Sequence, residues 1–136
     1  MPKFEGGCQC GAIRYEVTGP HKKIVACHCI DCQRQSGSAF GMTLVVAETD
    51  FRLTKGVVKT YGSRSEAGRR KLGAFCPDCG CRIYHQTEWR KGTVSVKPGT
   101  LDDTSWLNPD MHLWTRNKQS WVIIPDGVEL HETQPS

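Results

Sequence analysis

Hydrophobic and polar positions alternate along this chain in short runs rich in β-branched and aromatic residues, at 12–17, 40–46, 57–61, 71–75, 82–85, 93–96 and 121–124. Alternation at period two sends successive side chains to opposite faces, so each run predicts a half-buried strand. Gly, Pro or Asp fills most of the gaps, which predicts turns between the strands. The pattern therefore predicts a mainly β, single small domain of antiparallel strands over 1–136, with its core at about 4–128. Helix is predicted only as one turn over 31–36, and 131–136, which has no periodicity, reads as a frayed tail.

Length supports one domain: 136 residues bury a modest core, and staples of metal would help it considerably. No apolar run approaches the roughly 18 residues that a membrane span needs. The first seven residues, MPKFEGG, lack the basic start and apolar stretch of a secretory signal, so the expected location is cytoplasmic.

The eight cysteines change the picture most. In a reducing compartment they would not persist as disulfides, and their tight spacing suits metal coordination, with zinc the leading candidate. They fall into three groups: Cys8 and Cys10; Cys27, Cys29 and Cys32; and Cys76, Cys79 and Cys81. Tetrahedral zinc takes four donors, so at least two groups must meet in space. Cys8-Gln9-Cys10-Gly11 and Cys76-Pro77-Asp78-Cys79-Gly80 echo each other as a cysteine pair, a glycine and then a strand. Glycine permits the positive φ that such a turn uses. Two facing knuckles give Cys8, Cys10, Cys76 and Cys79 as a closed structural site.

The middle group supplies three thiolates from six residues and leaves tetrahedral zinc one position for a substrate, as catalytic zinc sites do. Cys81 is a candidate fourth donor there, and ligand and buried free thiol weigh evenly for it. Zinc with three thiolates carries −1, and an arriving thiolate makes it −2, so a nearby cation is expected. Arg34 is the nearest in sequence, and His28, between two ligands, suits a structural hydrogen bond better than proton transfer. The formal charge is +4, and eight thiolates around two Zn²⁺ bring it to about 0, which argues against nucleic acid as a partner. The basic run Arg64, Arg69, Arg70 and Lys71 reads as a solvated edge, and the four tryptophans as packing.

Taken together, Gly7-Cys8-Gln9-Cys10-Gly11, then Cys27-His28-Cys29-Ile30-Asp31-Cys32 with Ser36-Gly37, then Phe75-Cys76-Pro77-Asp78-Cys79-Gly80, and downstream His112-Leu113-Trp114 and Trp121, resemble the glutathione-dependent formaldehyde-activating enzymes. That domain is shared with a vertebrate centromere protein. The resemblance implies a β-tent fold, a structural zinc on Cys8, Cys10, Cys76 and Cys79, and a catalytic zinc on Cys27, Cys29 and Cys32. It also implies a carbon–sulfur lyase that adds a small thiol, glutathione, to formaldehyde. Cys81 departs from the small hydroxyl residue or glycine expected there. The competing expectation is a closed two-zinc binding module for protein or nucleic acid, with Cys81 completing the second site. Neither the natural thiol nor the oligomeric state follows from the sequence.

Overall fold

The structure, a computed structural model, describes residues 3–65 and 68–134. Among these described residues, eleven strands and one short α-helix follow each other as β1 Lys3–Gly7, β2 Arg14–Thr18, β3 Lys23–Cys27, α1 Ile30–Ser36, β4 Gly41–Ala47, β5 Phe51–Lys55, β6 Lys59–Arg64, β7 Arg70–Phe75, β8 Arg82–Thr87, β9 Thr93–Val96, β10 Met111–Leu113 and β11 Glu129–Leu130. They form a three-stranded sheet, β1-β2-β5, and an eight-stranded sheet, β11-β10-β3-β4-β9-β8-β7-β6.

Period two explains how the large sheet divides its residues between two faces. Ile24, Leu44, Val46, Ile83, Val94 and Val96 point to one side, where they meet Tyr15 and Val17 of the small sheet and form the buried core. Burying such side chains stabilises the fold by about 1.5–3 kcal/mol each. The intervening residues Val25, Thr43, Gly73, His85 and Thr87 line a pocket on the opposite side of the large sheet. One sheet thus supplies both the core and the floor of the pocket.

The predicted runs at 40–46, 71–75, 82–85 and 93–96 correspond to β4, β7, β8 and β9, and those at 12–17 and 57–61 overlap β2 and β6. The single helix falls where the turn was expected. The run at 121–124 is not a strand: Trp121 is 69% exposed and Ile123 90%. The edge beside β10 is taken instead by β11, which pairs with it in parallel. β10 also pairs in parallel with β3, so the large sheet is mixed rather than wholly antiparallel.

Residues of the expected tail hydrogen-bond to the segment around β10. His131 N–H donates to His112 O at 3.0 Å, and Thr115 N–H donates to His131 O at 3.1 Å. Trp114 Nε1 donates to Gln134 Oε1 at 3.4 Å. Residues 135 and 136 of the expected frayed tail lie outside the described residues. Among the described residues, no helix is long and apolar enough to cross a membrane.

Candidate metal centres and the pocket beside the second

Two tight-turn knuckles build the first cysteine group. After β1, Gly11 N–H donates to Cys8 O at 3.2 Å, and Gly11 takes φ 81°. After β7, Gly80 N–H donates to Cys76 O at 2.8 Å, and Gly80 takes φ 75°. A side chain in that left-handed region is strained, which is why glycine follows each cysteine pair. The knuckles face each other, and the sulfurs of Cys8, Cys10, Cys76 and Cys79 all lie within 4.8 Å of one another. Cys10 Sγ is 3.6 Å from Cys8 Sγ and 3.7 Å from Cys76 Sγ. Tetrahedral zinc with bonds of ~2.3 Å requires sulfurs roughly 3.8 Å apart, so the four donors fit it in type and spacing. Burial raises the Cys8 thiol, but the Ile13 N–H and the neighbouring cysteines outweigh that and hold it down at about 6.

Cys8 and Cys76 belong to the buried core, at 8% and 0% exposure, so a metal here would be sealed from solvent on one side. Its position ties the end of β1 to the end of β7 and closes a long loop, where metal binding becomes folding free energy.

The second group spans the junction of β3 and α1. Cys27 ends β3, Cys29 caps the helix by accepting the Cys32 N–H at 3.2 Å, and Cys32 lies in the first turn. Gly37, in the left-handed region at φ 60°, ends the helix. The three sulfurs lie within 4.8 Å of one another. Close packing of three thiols allows one of them to ionise readily. The Cys29 thiol is pulled well below the usual range by Cys27 and Cys32, whereas Cys27 is pushed far up by Cys29 and Cys32 and then by burial.

His28 faces the other way and is fully buried, with its Nε2 sharing a 2.8 Å hydrogen bond with His112 Nδ1. Its backbone N–H donates to Leu113 O at 2.9 Å, and Gln33 Nε2 bridges His28 O and Asn117 O at 2.8 and 2.9 Å. These contacts fix the segment that carries the three sulfurs, the structural role expected of His28.

Cys81 joins neither group. It lies across the second knuckle, where its carbonyl accepts the Cys76 N–H at 2.9 Å, and its side chain packs on the core side of the large sheet. The trio is on the pocket side, so Cys81 is not placed to complete it. Arg34 is also misplaced for the role expected of it: it is exposed on α1 and lines a shallow depression away from the trio.

The trio opens into a cavity of about 550 Å³. Lys71, Arg82 and Arg90 line it, and Asp31 is its one carboxylate among the described residues. Lys71 Nζ pairs with Asp31 Oδ2 at 3.2 Å, which links β7 to α1 across the cavity. Gly73 makes room for Arg82: a Cβ there would lie 2.5 Å from Arg82 Nη1. Burial, followed by the charges of Lys97, Lys71, Arg90 and Arg82, drives His85 down to about 3, so its ring is neutral amid four cations. Lys97 and Arg90 are each lowered by burial and pulled back up by the cysteines of the trio. Thr87 Oγ1 and Trp89 Nε1, both buried at the pocket, have no hydrogen-bond partner among the described residues.

Sequence reasoning missed Arg82, Arg90 and Lys97 because β8, β9 and their flanking segments bring them in from far along the chain. The basic run expected to be a solvated edge instead sends Arg64, Arg69 and Lys71 to the cavity lining, and Lys71 is the one of them that acts on Cys29.

A family model described as glutathione-dependent formaldehyde-activating enzyme matches residues 3–117. The chain belongs to that family. Among curated relatives, a Halomonas elongata protein named by inference as a glutathione-dependent formaldehyde-activating enzyme is 27% identical, over 89% of this chain and 80% of its own length. An uncharacterised lyase of Schizosaccharomyces pombe is 32% identical over 62% of this chain and 58% of itself. A Penicillium rubens protein, again named by inference for the same activity, is 30% identical over 78% of this chain and 59% of itself. The chain thus spans less than two thirds of the last two. A crystal structure of a Rhodobacter sphaeroides protein shares the fold, with a TM-score of 0.59 at 22% identity over 77% of this chain and 91% of the other.

Proposed function

We propose that the protein is a two-zinc carbon–sulfur lyase of the cytoplasm that adds the thiol of glutathione to formaldehyde. The observation that carries this reading is the three-cysteine group at the wall of a cationic cavity of about 550 Å³. Cys8, Cys10, Cys76 and Cys79 would hold the structural ion, and Cys27, Cys29 and Cys32 the second. Zinc held by the trio would supply a Lewis acid that lowers the pKa of a substrate thiol toward neutrality.

The protein's own residues do the rest by binding and orientation. Lys71 and Arg82 offer charge-assisted donors to the two glutathione carboxylates. Thr87 Oγ1 and Trp89 Nε1, unpartnered among the described residues, suit the peptide groups between them. His85, neutral at pH 7, cannot carry the proton as imidazolium. In the reaction the thiol loses its proton to water, the new S–C bond forms at the carbonyl carbon, and the carbonyl oxygen takes a proton. The product is S-hydroxymethylglutathione, and the reverse reaction retraces the same steps. A cytoplasmic setting keeps eight thiols reduced and available to metal.

A closed binding module requires a fourth protein ligand at the trio, and the position of Cys81 beside the other group goes against it. Exchange NMR of glutathione and formaldehyde, with and without zinc-loaded protein, tests the proposal. Faster interconversion than the spontaneous reaction is expected; an exchange rate unchanged by the protein refutes it.

A further inference from the structure

Two cations flank the trio from the two ends of β9, and neither has an ion-pair partner among the described residues. Lys97 follows the strand. Its backbone is held on both sides: its N–H donates to Ile83 O at 2.8 Å, and its carbonyl accepts from Thr100 N at 3.0 Å and Thr100 Oγ1 at 2.7 Å. Val94 and Val96 face the core, so alternation sends Lys97 to the side of the trio. Its ammonium reaches Cys32 across Gly41, because a Cβ on Gly41 would lie 3.3 Å from Cys32 Cβ and 3.4 Å from Lys97 Nζ. Arg90 precedes the strand, its carbonyl accepting from Thr93 Oγ1 at 2.6 Å and its N–H donating to Thr87 O at 3.2 Å. It lines the same cavity as the cysteines.

Placing two partly buried cations around one cysteine centre, with no carboxylate partner among the described residues for either, is costly unless an anion compensates. Zinc with three thiolates carries −1, which balances only one of them. A thiolate in the fourth position brings the centre to −2 and balances both. A neutral fourth ligand leaves one positive charge unmatched.

We infer that Lys97 and Arg90 are specificity-determining residues that make the three-cysteine centre select an anionic fourth ligand, a thiolate, over a neutral donor such as water. This rests on the proposed thiol-binding function. It concerns the two cations at the sulfurs that have no carboxylate partner among the described residues: Lys71 also acts on Cys29, but its charge is already paired with Asp31.

The test uses cobalt-loaded full-length protein titrated with 2-mercaptoethanol, a thiol without carboxylate, followed through the cobalt–thiolate absorption bands. Removing one flanking charge in Lys97→Met or Arg90→Met is expected to raise half-saturation about tenfold at unchanged metal content, the order for a unit charge several ångström away after solvent screening. Lys97→Arg is expected to stay near wild type. Wild-type and Met-variant titrations that coincide overturn the inference while leaving thiol binding intact. A wild-type protein whose bands do not respond to millimolar thiol overturns both. Should Lys97→Met fail to take up cobalt, Arg90→Met carries the same comparison from the other end of β9.

Discussion

Replacing Cys29 and Cys81 separately by serine distinguishes a ligand from a bystander with little collateral damage. Cys29 does two things: it supplies a sulfur to the trio, and it caps α1 by accepting the Cys32 N–H at 3.2 Å. Serine is itself a good N-cap, so Cys29→Ser preserves the helix start and removes only the metal donor. Four-ligand zinc sites are worth about 10–16 kcal/mol, so one donor contributes about 3 kcal/mol, or some two decades of affinity. After gel filtration against a competing chelator, Cys29→Ser should therefore retain about one metal equivalent fewer than wild type. Cys81→Ser should retain the same content as wild type. Its cost is that of a hydroxyl in a partly buried apolar site, about 1 kcal/mol, seen as a fall of a few degrees in melting temperature. Elemental analysis by mass spectrometry reads the metal, and circular dichroism reads the melt. Full metal content in Cys29→Ser, or an equivalent lost from Cys81→Ser, would refute the assignment of the trio as a site made without Cys81.

Gly73→Ala places a methyl 2.5 Å from Arg82 Nη1; that end of a flexible side chain can swing aside, so stability should change by less than about 1 kcal/mol while the KM for glutathione rises. His112→Ala strips the fully buried His28 of its ring partner and should cost about 1–3 kcal/mol in urea unfolding of the metal-loaded protein; an unchanged midpoint would contradict the clamping role. Asp102 is held below its ordinary value of 3.8 by its hydrogen bond from Arg14. Its stabilisation is accordingly complete above pH about 3.8 and lost as pH falls through the lower folded value, so Asp102→Asn should flatten the acid limb of the stability curve below that pH and leave the neutral plateau with a small loss.

What was legible in advance came from residues close together in the chain. Cys8 and Cys10, Cys76 and Cys79, and the run from Cys27 to Cys32 announce turns and a helix start whose geometry is fixed within a few residues, and Gly11 and Gly80 confirm it with their positive φ. Five strands, β1, β3, β5, β10 and β11, were not anticipated, and for β1 and β3 the cause is equally local. The first is glycine-rich, and the second is a continuous apolar run ending in a ligand, so neither alternates clearly.

The sequence by itself determined the sulfur groupings, most of the long antiparallel strands and the single helical turn, because each rests on spacing of two to six residues. Only the tertiary structure decided which face of the large sheet each group occupies, since strand register sets that and a slip of one residue reverses every side chain. Register therefore put Cys81 on the core side, left Arg34 in solvent and carried Lys97 and Arg90 to the trio from more than fifty residues away. Charge acts through space, so the electrostatics of the centre became visible once β3, β4, β8 and β9 were seen side by side.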